Sequence, residues 1–284
     1  MGSAPRVFDH HEFDAVTLAS AKDGHRVSVC LPARNEEATV GAVVAEVRNR
    51  CTAVGGGPDL VDEIVVVDDG STDATTDRAA RAGARVVQST TEGGGKGQAM
   101  AVGVAECRGD IVVFLDADVE RFSSHFVVGL LGPLLLDEDL AMVKGFYRRP
   151  LHGAPTGGGR VTELVARPML QLLFPKVADI AQPLGGEYAA RRSALEVLPF
   201  VEGWGVELGL LVDVVERYGR DAVAQVDLGT REHRNKPLEE LAPQARAVMA
   251  TALKRAELLD PVEVRERPPM VTLPQYRARF SPPQ

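Results

Sequence analysis

From residue 26 onward, short Val- and Ile-rich runs alternate with helical segments. RVSVCLPA reads as a buried strand, NEEATVGAVVAEVRNR as an amphipathic helix and DEIVVVDDGS as a second strand. TDATTDRAARAG then reads as a helix, ARVVQST as a strand, KGQAMAVGVAEC as a helix and DIVVFLDAD as a strand. Apolar strands separated by crossover helices specify an α/β fold, a mostly parallel sheet covered on both faces. Such sheets bind ligands at the C-terminal ends of their strands. The informative polar residues gather there: Pro32 to Glu36 after the first strand, Asp68 to Ser71 after the second and Asp116 to Asp118 after the fourth.

The fourth strand carries the sharpest chemical signal. In IVVFLDADVE, residues 111–120, Asp116 and Asp118 are separated by Ala117, and residues i and i+2 of a strand point the same way. Both acids are therefore expected to emerge together at the strand end as a site for a hard cation, Mg²⁺ or Mn²⁺, which shares its oxygen ligands with a nucleotide diphosphate. A pair of solvated acids at a strand end is the bland alternative.

Composition narrows the partners. The net charge of −8 repels polyanions, which argues against nucleic acid and anionic membrane, so any phosphate ligand needs a local cationic cluster. Cys30, Cys51 and Cys107 have no CxxC spacing and are expected to be reduced thiols. MGSAPRVFDHHEF lacks the basic start and apolar run of a signal peptide, and VVGLLGPLLL is far short of the ~20 residues that span a bilayer. A soluble cytoplasmic protein is the expectation.

The second half reads as a strand at LAMVKGFYRRP, a glycine-rich loop at APTGGGR, a helix through VTELVARPMLQLLF, a strand near EYAARRS, a helix at VELGLLVDVVERYG, a strand at AVAQVDLGTREHR and a long exposed helix at PLEELAPQARAVMATALKRAELL. The resulting division is an N-terminal extension (1–25), a nucleotide-binding half (26–118), an acceptor-binding half of the same domain (119–260) and a Pro/Arg-rich tail (261–284). The tail's six prolines and four arginines predict an extended or disordered segment.

Four segments carry the remaining chemistry. Asp68 and Asp69 stand beside the flexible Gly70–Ser71 turn, where a base and ribose hydroxyls can be recognised; Ser71 or Thr72 as a helix cap is the alternative for that turn. Lys96 lies in TTEGGGKGQAM just before a helix, so backbone amides, helix dipole and ammonium together suit a diphosphate. It is not a Walker motif, and no GxGxxG follows the first strand. In TREHRNK, His233 can complete an ion's coordination beside Asp118 while Arg231, Arg234 and Lys236 attract a phosphorylated substrate; a solvated basic loop is the alternative. GGGRVTE pairs Arg160 with a helix start whose candidate cap is Thr162.

Together, PARNEE, VDDGS, GGGKG, DAD and the late histidine resemble the GT-A nucleotide-sugar glycosyltransferases. GRVTELVARP, QPLGGEYAARR, WGVELGLL and REHRN narrow this, for they resemble the actinobacterial glucosyl-3-phosphoglycerate synthases over residues 5–258. The resemblance implies a GT-A fold with a mostly parallel, Rossmann-like central sheet, helices on both faces and an acceptor-binding C-terminal half. It implies retaining transfer of glucose from UDP-glucose to the 2-hydroxyl of 3-phosphoglycerate, giving glucosyl-3-phosphoglycerate and UDP, with Mg²⁺ or Mn²⁺ and in a homodimer. By the same resemblance Pro32, Ala33, Glu36 and Ser71 contact uridine, Lys96 the diphosphate and Asp116 the ribose. Asp118 and His233 hold the metal, Gly186 and Glu207 the glucose, and Arg231 joins the donor contacts near the metal. Gly159, Arg160, Val161, Thr162 and Asn235 bind 3-phosphoglycerate. Lys96, Asp118, Glu207 and His233 are the expected catalytic groups.

Rival readings are a GT-A enzyme using GDP-mannose or a polyprenyl-phosphate acceptor, a nucleotidyltransferase, and a silent nucleotide-sugar sensor. No membrane anchor accompanies the lipid-acceptor reading. PARNEE stands where a nucleotidyltransferase would carry a GxGxR-like loop.

Overall fold

The computed structural model describes residues 6–89, 94–151, 154–157, 159–231, 237–258 and 264–280. In chain order its elements are β1 (Arg6–Asp9), α1 (Ala15–Ala21), β2 (Val27–Ala33), α2 (Val40–Cys51), β3 (Glu63–Asp68), α3 (Thr75–Ala82), β4 (Arg85–Gln88), α4 (Gly95–Glu106), β5 (Ile111–Phe114) and α5 (His125–Leu136). There follow β6 (Met142–Arg148), β7 (Pro150–Leu151), β8 (Ala154–Gly157), α6 (Arg167–Leu173), β9 (Tyr188–Arg191), α7 (Arg192–Leu195), β10 (Phe200–Val201), α8 (Val206–Tyr218), β11 (Val223–Thr230), α9 (Leu238–Arg255), β12 (Glu266–Arg267) and α10 (Pro274–Phe280).

One eight-stranded sheet runs β1-β11-β6-β9-β5-β2-β3-β4 and crosses both halves of the sequence. Every neighbouring pair is parallel except those of β9, which lies antiparallel between β5 and β6. The central strands are mostly apolar because alternate residues feed two separate cores. Val29, Leu31, Val66 and Val113 face α2 and α5; Cys30, Val65, Val67, Val112 and Phe114 face α4, α8 and α9. All three cysteines are buried and unpaired. Among the described residues no helix is long and apolar enough to cross a membrane.

Two expectations change. The helix at 238–255 is amphipathic rather than simply exposed, with Val248, Thr251 and Ala252 buried. The tail expected to be extended or disordered is packed over 264–280. Met270 and Tyr276 are buried, β12 pairs antiparallel with β10, and Tyr276 Oη donates to Glu196 Oε2 at 2.7 Å. Composition misjudged this segment because its few apolar residues are spaced to reach a core already formed, so they need not build one of their own.

Candidate active site

The strand ends converge on a cleft of about 600 Å³ lined by Pro32 to Glu36, Asp69, Lys96, Asp116 to Asp118, Gly159 to Thr162, Trp204, Glu207 and Arg231, among others. β5 ends at Phe114, so Asp116 and Asp118 stand in the turn beyond the strand rather than alternating on it. They are brought together by Arg231. Its guanidinium donates through Nη1 to Asp116 Oδ2 at 2.9 Å and through Nη2 to Asp118 Oδ1 at 2.7 Å.

Arg231 is only 3% exposed, and its charge is shared further. Nη1 also lies 2.7 Å from Glu187 Oε1 and donates to Tyr147 Oη at 2.7 Å, while Tyr147 Oη donates to Glu187 Oε2 at 2.5 Å. Arg149 donates to the same phenol at 2.8 Å. Burial pushes the Tyr147 phenol up to about 12 and holds the Glu187 carboxyl above its usual value despite the opposing arginines. For Arg231 burial opposes the charge, but Glu187 and the neighbouring acids outweigh it and raise its pKa.

Lys96 forms the second charged centre. The first turn of α4 carries it to the cleft floor, where Nζ is 2.6 Å from Asp116 Oδ1 and 2.7 Å from Glu207 Oε1. Burial disfavours the ammonium, yet Asp116 and Glu207 outweigh it and hold its pKa well above the lysine range; Asp116, which burial alone would raise, is held far below the carboxylate range by Lys96 and Arg231. This close pairing requires Gly186. A Cβ there would stand 2.1 Å from Asp116 Oδ1 and 2.6 Å from Lys96 Nζ. Gly186 is set from beneath by Lys144, fully buried on β6, whose Nζ donates to Gly185 O at 2.6 Å. Burial pushes Lys144 down to about 8.

At the other end of the cleft Asn35 adopts a left-handed φ of 57°, fixed by two bonds: its N–H donates to Ser71 Oγ at 2.9 Å and Thr72 N–H donates to its Oδ1 at 2.8 Å. Ser71 thereby orients the Arg34–Glu36 turn beside the cleft. It does not cap α3; Asp73 accepts from Thr75 N–H there. Asp68 accepts from Ser71 N–H and braces the turn, whereas Asp69 lines the cleft. Asp69 Oδ2 accepts from Gly95 N–H at 3.1 Å, so the carboxylate also sits at the positive end of α4, and its buried Oδ1 has no hydrogen-bond partner among the described residues.

The facing wall is the Gly159–Thr162 loop, which enters a π-helical turn at Thr162–Ala166, a geometry that recurs at functional sites. Thr162 makes no side-chain cap there, so its candidate capping role is not met. His233 and Asn235, with the rest of 232–236, lie outside the described residues. Sequence reasoning passed over Tyr147, Arg149, Glu187, Lys144 and Trp204. Glu187 and Trp204 lie inside segments it had singled out, but no local pattern marks which strand-borne polar residue will be buried against Arg231.

A hard cation suits this donor set. Asp118 is 43% exposed at its side chain, the most open carboxylate of the cluster, and only its Oδ1 is engaged by Arg231.

Residues 28–149 match the family described as glycosyl transferase family 2. A glucosyl-3-phosphoglycerate synthase of Mycolicibacterium paratuberculosis is 49% identical over 270 residues, covering 90% of this chain and 80% of that protein. Among solved structures, the Mycobacterium tuberculosis glucosyl-3-phosphoglycerate synthase with phosphoglyceric acid superposes with a TM-score of 0.85 at 42% identity, covering 96% of this chain and 100% of that one. The same enzyme with Mn²⁺, UDP-glucose and phosphoglyceric acid superposes at 0.78 with 44% identity, covering 90% and 94%. With the sheet, the acidic turn and the lysine–glutamate floor in place, this similarity over nearly the whole length makes the chain a member of the glucosyl-3-phosphoglycerate synthase family.

Proposed function

We propose that this protein transfers glucose from UDP-glucose to the 2-hydroxyl of 3-phosphoglycerate with retention at the anomeric carbon. The observation that carries the reading is the Lys96 ammonium bridging Asp116 and Glu207 at the floor of a cleft whose opposite wall is the Arg160 loop. One end of the cleft suits a nucleoside diphosphate and the other a small phosphorylated acid. The solved relative that carries Mn²⁺, UDP-glucose and phosphoglyceric acid together supports the same pairing.

In this reading Pro32, Ala33, Glu36 and Ser71 form the uridine end, and Asp69 Oδ1 accepts the imide N–H of uracil. Asp116 takes the ribose and Lys96 the diphosphate. Gly186 and Glu207 receive the glucose hydroxyls, and Gly159 to Thr162 with Asn235 hold the acceptor's anionic groups. Asp118 with His233 would hold Mg²⁺ or Mn²⁺, which supplies positive charge beside the diphosphate when bound. Arg231 orients the two aspartates and, with Lys96, keeps Asp116 ionised.

The reaction breaks the bond between the anomeric carbon and the diphosphate oxygen and forms one from that carbon to the acceptor's 2-oxygen. Negative charge grows on the departing oxygen, where Lys96 stabilises it, and that oxygen accepts the proton released by the 2-hydroxyl. Attack and departure on one face preserve the configuration without a covalent intermediate. Glu207 is 4% exposed and its Oε1 is held by Lys96, which supports a sugar-binding role over that of nucleophile. The same reading makes the protein a cytoplasmic homodimer, a compartment consistent with its three unpaired thiols.

Proton NMR of the protein with UDP-glucose, 3-phosphoglycerate and Mg²⁺ tests the proposal. A new α-anomeric doublet that requires both acceptor and metal is expected. Intact UDP-glucose with no new signal would overturn it.

A further inference from the structure

The C-terminal segment, which no motif claims, reaches the floor of the cleft from behind. β12 pairs with β10 in the register Phe200 to Arg267 and Val201 to Glu266, and Glu202 N–H donates to Arg265 O at 3.2 Å. The Glu202 carbonyl in turn accepts from Gln98 N–H at 3.0 Å, inside the first turn of α4. That turn is pressed against the same backbone, for a Cβ at Gly97 would stand 1.7 Å from Val201 O. From β12 the Arg267 side chain completes the link, its Nε donating to Oε1 of the buried Gln98. Glu266, its neighbour, pairs with Lys254 and Arg255 of α9, and Arg255 also pairs with Asp213 of α8 at 2.6 Å. α8 is the helix whose first turn carries Glu207.

We propose that Arg267 is a positioning residue for the transfer reaction: through Gln98 it fixes the first turn of α4, and with it the Lys96 ammonium between Asp116 and Glu207. Three chain segments thus converge on one charged atom, whose approach to both carboxylates leaves little room for displacement. Lys96 lies two residues before Gln98, so a first turn freed from Arg267 lets Nζ drift from the departing diphosphate oxygen. The inference rests on the role given to Lys96 above. It differs from general stabilisation in that its effect passes through one side chain.

The test is a double-mutant cycle between Arg267→Ala and Lys96→Ala, read in two ways: kcat, and UDP affinity from quenching of Trp204, the single tryptophan, which lines the cleft. Arg267→Ala is expected to lower kcat by roughly 10- to 100-fold, with a smaller change in the KM for UDP-glucose, because misplacement acts on the transition state. In the Lys96→Ala background it should add almost nothing. Gln98→Met, which keeps the packing and removes the acceptor, should reproduce the loss, and Arg267→Lys should restore part of it. Additive losses in the cycle, or a lowered melting temperature with kcat unchanged, would overturn the proposal. Should Arg267→Ala fail to fold, Gln98→Met decides alone. Because UDP affinity is measured without acceptor, the Arg267–Lys96 coupling remains readable even if the enzyme uses a different acceptor.

Discussion

One wall of the cleft takes Pro32 to Glu36, Asp69 and Asp116 to Asp118 from the ends of the adjacent parallel strands β2, β3 and β5, each contributing a short contiguous stretch. The floor, facing the Gly159–Thr162 loop, draws on β6, the residues just before β9 and just after β11, and the first turns of α4 and α8, joined by ion pairs such as Arg231 to Asp116, 115 residues apart. Apart from its aspartates 116 and 118, which Arg231 aligns, the first wall is held by backbone geometry that neighbouring residues enforce on one another. The floor is held by a few buried charges that neutralise one another, and removal of one partner leaves the others uncompensated. Substitutions on the strand-end wall should therefore alter ligand choice, and those in the floor should cost activity and folding together.

The largest effect is expected from Arg231→Met, which strands Glu187 and Asp116 in a buried site. Stability should fall by about 3–5 kcal/mol in urea denaturation, and turnover by on the order of 10²–10³. A stable, active Arg231→Met protein would remove the contrast between wall and floor. Next is Gly186→Ala, whose methyl must separate Lys96 from Asp116. A loss of roughly 10² in kcat is expected, with UDP affinity changed far less. Asp69→Asn sharpens the comparison from the other side. Exchange of its acceptor oxygen, which has no partner among the described residues, for an amide should raise the KM for UDP-glucose by about tenfold and narrow the preference for UDP- over CDP-glucose, with kcat little changed.

The smallest effect concerns Lys144. Burial lowers its pKa to about 8 in the folded protein, below its unfolded value, so above pH 8 the unfolded chain holds the extra proton and stability rises with pH. The stability is full above the unfolded pKa and is lost as pH falls towards 8. Relative to Lys144→Met, the wild type should gain up to ~2 kcal/mol between about pH 8 and 9.5. Parallel denaturation curves across that range would contradict the burial argument.

The strand-end wall is legible in the sequence because a parallel strand delivers its last residues consecutively, so PARNEE, VDDGS and DAD announce themselves. Even there the detail differs. Asp116 and Asp118 stand past the end of β5, aligned by Arg231 and not by strand alternation. Tyr147, Glu187 and Lys144 carry no such signal, since a polar residue inside an apolar strand looks the same whether it faces solvent or a buried arginine.

The sequence by itself determined the alternation of strands and helices, the carboxylates at the strand ends, the lysine at a helix start and, through its second-half segments, the family. Those features depend on residues within a few positions of each other. Only the tertiary structure decided that Arg231 bridges both aspartates, that Gly186 makes room for the Lys96–Asp116 pair, and that the proline-rich tail returns to brace α4. Each of these joins chain segments far apart in sequence, where burial and charge pairing set the contact and local propensity has no part in it.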